Sequence, residues 1–179
     1  MHSRNCTPGL KKVKAISPEP IRKTRTNTRR KTCFLSPQKR AGRIWLLNRA
    51  DGKSRAYETK AFFCFHTINQ FEDGDDVVLD FLAWDDPGII EQLRIDLLAK
   101  GHPPVQSKWV RARLKPGQSK ADFEVMSETP FEFPVLNLKR SQCKPTEVVW
   151  GATITGSADG ADAAVLKVVH GKPVELTRV

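Results

Sequence analysis

"AFFCFHTINQFEDGDDVVLDFLAW", residues 61–84, sets a lone histidine at the end of an aromatic, apolar run and follows it with five acidic residues. Alternation from Phe62 puts Phe62, Cys64, His66 and Ile68 on one face of an extended chain and Phe63, Phe65 and Thr67 on the other. Both faces are apolar, so residues 61–68 read as an interior strand. An imidazole buried there costs free energy unless its nitrogens find partners. Taken alone, His66 reads more simply as a hydrogen-bonded core residue than as a ligand, because His2, His102 and His170 are all distant in sequence.

Working outward, Asp73-Gly74 and, upstream, Asp51-Gly52 are hairpin signals, since a tight turn needs a residue at positive φ. Candidate strands lie at 43–48, 54–58, 61–68, 76–84, 107–115, 122–126, 147–153, 163–170 and 174–178, gathered in short clusters rather than at helical spacing. In "DDPGIIEQLRIDLLAKG" the residues Ile89, Ile90, Leu93, Leu97 and Leu98 instead follow a helical period, with Gly101 as a stop. The expectation is one short helix lying across a sheet on an otherwise all-β chain. Sandwich, barrel and propeller all fit this pattern, and no internal repeat decides among them.

The basic excess is confined to the head. Residues 1–50 hold 14 Lys or Arg against one acid, Glu19, although the whole chain is only +10. Pro8, Pro18, Pro20 and Pro37 interrupt this stretch, and it has almost no apolar periodicity before Phe34. Residues 1–40 are therefore expected to be a disordered basic extension, with the folded region at 43–179. A solvated extension is favoured over a nucleic-acid-binding tail, because no aromatic platform accompanies the charge. Cys6, Cys33, Cys64 and Cys143 form no CxxC pair or zinc spacing, and with no secretory signal a reducing, cytoplasmic location is the simpler assumption. No apolar run of about 18 residues exists to span a membrane.

Two blocks carry a more specific resemblance. Phe62, Phe63, Phe65, His66, Asn69 and Glu72 fit a pattern "FFxFHxxNxxE", and Val77, Val78, Asp80 and Trp84 fit the "VVxDxxxW" that follows it. Downstream, Glu132, Phe133, Pro134, Asn137 and Gly151 fit "xEFPxxN" and an aromatic-Gly strand end. In these blocks the chain resembles the carotenoid cleavage oxygenases, the family of carotenoid and stilbene cleaving dioxygenases and the retinoid isomerase of the eye. The resemblance implies a seven-bladed β-propeller with a non-haem Fe(II) on its axis, held by four histidines from different blades. His66 matches one ligand. Glu132 matches a carboxylate that accepts the far N–H of a ligand histidine. O2 would be added across a double bond of an apolar polyene or stilbene-like substrate, giving two carbonyl products.

Family members are far longer, and only one of the four ligands is recognisable here. The chain thus reads as a partial propeller, a fragment of such an enzyme. The alternative is a non-catalytic β-rich fragment or a basic-tailed nucleic-acid-binding protein. Glu72 reads as a turn acid and Asn69 as a cap for that same turn. His102 and His170 are not expected to be ligands. An apolar substrate makes peripheral membrane association reasonable.

Overall fold

The structure is a computed structural model; it describes residues 12–16, 41–98, 106–157, 160–169 and 172–178. The described residues form three antiparallel sheets. The first has the order β1 (Lys12–Ile16), β2 (Gly42–Leu47) and β3 (Ser54–Thr59). The second is a four-stranded meander of β4 (Thr67–Asp73), β5 (Asp76–Ala83), β6 (Lys108–Leu114) and β7 (Asp122–Ser127). The third runs through β8 (Glu132–Val135), β9 (Val148–Ser157), β10 (Gly160–Val169) and β11 (Lys172–Arg178), again with each strand beside the next. Short helices α1 (Gly88–Gln92), α2 (Ile95–Leu98) and α3 (Leu138–Ser141) occupy the connections.

Turn chemistry sets the registers. Gly74 has φ +60 at the first of two turn residues, so Asp73 pairs with Asp76 and β4 folds directly onto β5. Gly52, at φ +71, closes the β2–β3 hairpin.

The sheets stack face to face with the second in the middle. Ile44, Leu46 and Tyr57 of the first sheet pack against Val77, Leu79, Phe81, Val110, Ala112 and Leu114. On the other side Ile68, Leu82 and Trp109 pack against Phe131, Val149, Leu166 and Val168 of the third sheet. β5 is consequently buried on both faces from Val77 to Leu82, which is why its sequence is nearly continuous in apolar residues. Each large side chain so buried contributes about 1.5–3 kcal/mol, so this strand is the centre of the fold. Its one charged residue in that run, Asp80, receives Arg111 Nε at 2.8 Å and Nη2 at 2.9 Å. Arg111 in turn lies over the Phe71 ring at 5.6 Å.

Several expectations are corrected. The strand expected at 61–68 does not form as such. Residues 61–66 are held by a bridge between Phe63 and Trp84, just past β5, and by Leu82 N–H of β5 donating to the His66 carbonyl at 3.0 Å, and regular pairing starts only at Thr67. A register shift between Thr67 and Asn69 then turns Ile68 toward the third sheet, while Phe62 and Cys64 pack toward the first. The single helix is two short ones broken at Leu93 and Arg94. Ile89 is buried, but Ile90 and Leu93 are exposed and Ile95 is 86% exposed, so the expected apolar face does not lie across a sheet.

β8 and α3 were not anticipated. Lys12–Ile16, inside the stretch expected to be disordered, pairs with β2 from Lys12 opposite Leu47 to Ile16 opposite Arg43. The remainder of that head, and His2, His102 and His170, lie outside the described residues. Cys64 is free and Cys143 is disulfide-bonded. Among the described residues no helix is long and apolar enough to cross a membrane.

Candidate metal-ligand site

His66 and Glu132 stand 66 positions apart in the chain and meet where the start of β4 approaches β8. His66 Nδ1 lies 2.8 Å from Glu132 Oε2. The His66 side chain is 38% exposed whereas that of Glu132 is 7% exposed, so the ring leans out from a buried carboxylate. Among the described residues no hydrogen bond occupies Nε2. An ionised carboxylate can only accept, so Nδ1 carries the proton and donates to it, and the lone pair of the neutral ring is left on Nε2. This is the arrangement expected of a metal-ligating histidine steadied by a carboxylate. It is also a different environment from the one the alternation implied, because His66 stands at a strand end with aromatic neighbours on one side and solvent on the other.

The position of Glu132 has local causes. Ser107 Oγ donates to the carbonyl of Phe131 and pins the entry to β8. Phe131 is fully buried. Glu132 pairs with Ala152, and beside that pair Gly151 passes so close that a Cβ there would lie 2.9 Å from the Glu132 carbonyl oxygen and clash with the edge of the Phe131 ring. A glycine at 151 is thus what lets β8 seat against β9.

Phe133 then takes φ +55, an outlier for a bulky residue and doubly so before Pro134. Strain of about 1–3 kcal/mol is typical of such a residue, and it persists only where surrounding structure over-determines it. Here it keeps Glu132 inward and leaves Phe133, 64% exposed, with its ring 5.1 Å from that of His66. Most glutamates beside a proline point to water, but Glu132 is buried, while Pro134 falls on an edge strand.

Glu132 has a second partner. The indole Nε1 of Trp84, just past the end of β5, donates to Oε1. Trp84 lies within the sequence block that carries the resemblance, yet had no role assigned to it. The available signal was that a buried indole N–H generally needs an acceptor. Phe65 completes the surroundings, with its ring 6.3 Å from His66 and 6.2 Å from Trp84.

Cys64 is close by but chemically quiet. Burial, and secondarily the charge of Glu132, push its thiol up to about 12, and Sγ donates to the His66 carbonyl at 3.2 Å.

The other candidates separate from this site. Glu72 is exposed near the end of β4. Asp73 and Asp76 both receive Arg113 Nη1, at 2.8 and 3.0 Å. Asn69 does not cap the β4–β5 turn. Its Nδ2 instead donates to the carbonyls of Ser141 and Lys144, at 2.9 and 2.8 Å, with Thr146 Oγ1 at 2.6 Å. It therefore ties the α3–β9 connection to β4. Among the described residues no group of three or more His, Cys, Asp or Glu could by itself hold a metal ion. His66 fits one donor of a metal centre, and the described part of the chain does not complete it.

Three stacked antiparallel sheets, two of them four-stranded meanders, with a carboxylate-backed histidine at a strand start, form part of a β-propeller of the carotenoid oxygenase type. The family model described as Retinal pigment epithelial membrane protein matches residues 18–173, and the chain belongs to that family. Among solved structures it is similar to cobalt-substituted Synechocystis ACO, at 20% identity over 80% of this chain and 30% of that one, with a TM-score of 0.59. A mutant of Synechocystis apocarotenoid oxygenase is similar at 20% identity, the same coverages and a TM-score of 0.58. So is an ACO/RPE65 chimera, again at 20% identity, 80% and 30% coverage and a TM-score of 0.58. The chain spans about 30% of the length of these structures, and at this identity the likeness is one of fold. No curated protein matches it.

Proposed function

We propose that the chain carries one histidine arm of a non-haem Fe(II) centre in an oxygenase that cleaves a carbon–carbon double bond of a carotenoid, apocarotenoid or stilbene-like substrate. The observation that carries this reading is the 2.8 Å contact between His66 Nδ1 and the buried Glu132, on a ring that is itself 38% exposed. Iron, when bound, supplies the oxygen chemistry. The residues of this chain do the rest of what can be assigned to it. His66 offers its Nε2 lone pair. Glu132 holds the proton on Nδ1 and, being anionic, offsets charge at an all-imidazole site. Phe65 and Phe133 flank the ring with exposed apolar surface, which suits an apolar polyene better than a polar substrate. Such substrates partition into bilayers, so peripheral membrane contact belongs to the same proposal.

A second reading is favoured by the solitary character of His66 among the described residues: a non-catalytic member of the family that keeps the fold without a complete ligand set. The test is to purify the 179-residue chain anaerobically with Fe(II), and to measure metal per protein together with loss of polyene absorbance. Near-stoichiometric iron that disappears in His66→Ala supports the oxygenase. Absence of bound iron from both proteins supports the second reading.

A further inference from the structure

The Glu132 carboxylate is buried, with one ring nitrogen at each oxygen, and both rings come from the open end of one hairpin. His66 immediately precedes β4, and Trp84 immediately follows β5. The Trp84 backbone is itself locked there, since its N–H donates to the Phe63 carbonyl at 2.8 Å and its carbonyl accepts from Phe63 N–H at 2.9 Å. Pairing of a buried indole is not automatic in this fold. Trp109 Nε1 is buried and finds no acceptor among the described residues.

We propose that Trp84 is a positioning residue for His66, acting through Glu132. An indole can only donate, so Oε1 is committed as an acceptor and the plane of the carboxylate is set. With Oε1 held, Oε2 points at Nδ1 and accepts from it. The neutral His66 ring is thereby kept as the Nδ1–H tautomer, with its lone pair on Nε2. Without the indole N–H, Oε1 is a buried anionic oxygen with no donor among the described residues, and the carboxylate turns toward water and away from His66. The purpose of this arrangement rests on the metal reading proposed above, but its geometry does not.

The test is nitrogen-15 NMR of the His66 ring in the metal-free 179-residue chain, at a pH where the imidazole is neutral; the two tautomers have well-separated ring-nitrogen shifts. Trp84→Phe removes the N–H and shrinks the ring. Replacing Trp84 by 3-benzothienylalanine removes the N–H and keeps the ring, so it separates the hydrogen bond from packing. The wild type is expected to be mainly Nδ1–H, and the isosteric replacement to move the ratio about tenfold or more toward Nε2–H, as loss of a charge-assisted hydrogen bond implies. A folded isostere with an unchanged ratio overturns the proposal.

A reading on the wild type needs no variant at all. Its Trp84 indole proton is expected to resonate downfield and exchange slowly, and an indole that behaves as a free one also overturns the proposal. If iron binding proves insensitive to His66→Ala while the tautomer follows Trp84, the metal reading has failed and this inference has not.

Discussion

Gly151 and Glu132 lie side by side across β8 and β9, so near that a methyl group on residue 151 would sit 2.9 Å from the Glu132 carbonyl oxygen and overlap the Phe131 ring. The neighbouring atoms are backbone and a fully buried ring, neither of which can swing aside. Gly151→Ala is therefore expected to cost about 1–3 kcal/mol as overpacking and to push Glu132 off His66. Chemical denaturation measures the first effect, and the His66 ring-nitrogen shifts measure the second. An alanine variant as stable as the wild type would contradict this geometry.

Asp80 is fully buried in β5 and is matched by both Nε and Nη2 of Arg111. Asp80→Ala strands the guanidinium and is expected to cost about 3–5 kcal/mol. Combining it with Arg111→Met removes both charges and should recover a large part of that loss. A urea-based double-mutant cycle reads the coupling directly.

Asn69 is needed as a donor. Asn69→Ala removes the side-chain donor shared by the Ser141 and Lys144 carbonyls, which then keep Lys144 N–H and Thr146 Oγ1, at an expected cost of about 0.5–1.5 kcal/mol, and amide exchange should quicken in the α3–β9 connection. Asn69→Asp should be worse than alanine, because a carboxylate then faces two carbonyl oxygens. A neutral outcome for the aspartate variant would show that the connection is held by other contacts.

Cys64 should behave as a buried thiol. Its ordinary value of 9.0 is pushed up to about 12, mainly by burial, so folded protein at pH 8 should react with iodoacetamide far more slowly than denatured protein does. Below about pH 9 both states hold this proton and the group adds no pH dependence. Between pH 9 and 12 the unfolded chain loses the proton while the folded chain keeps it, so stability falls as pH rises. Cys64→Ala should flatten that alkaline limb in a pH series of denaturation curves.

Most of the strands were legible because they are marked by local chemistry. Asp51-Gly52 and Asp73-Gly74 close their hairpins as expected, and β2, β3 and β5 fall within a residue or two of their sequence positions, whereas β4 begins six residues after the strand expected at 61–68. β8 was hidden because Pro134 removes a backbone donor and its pairing with β9 is interrupted by a register shift. The break between α1 and α2 was hidden as well. Apolar residues at helical spacing promise a buried face, and the fold buries Ile89 while leaving Ile90, Leu93 and Ile95 exposed.

Residue order alone determined the antiparallel β architecture, the tight turns and the family, because alternation, turn glycines and the His66 and Glu132 motifs are local patterns. It gave His66 a face in a strand that does not form at that position. Only the tertiary structure decided what His66 touches. The bulge at Ile68 and the approach of β8 to β4 bring together a histidine, a glutamate and a tryptophan from distant parts of the chain. Hydrogen-bond partners at that range follow from how sheets stack, and stacking depends on side-chain volumes summed over whole faces rather than on any one segment.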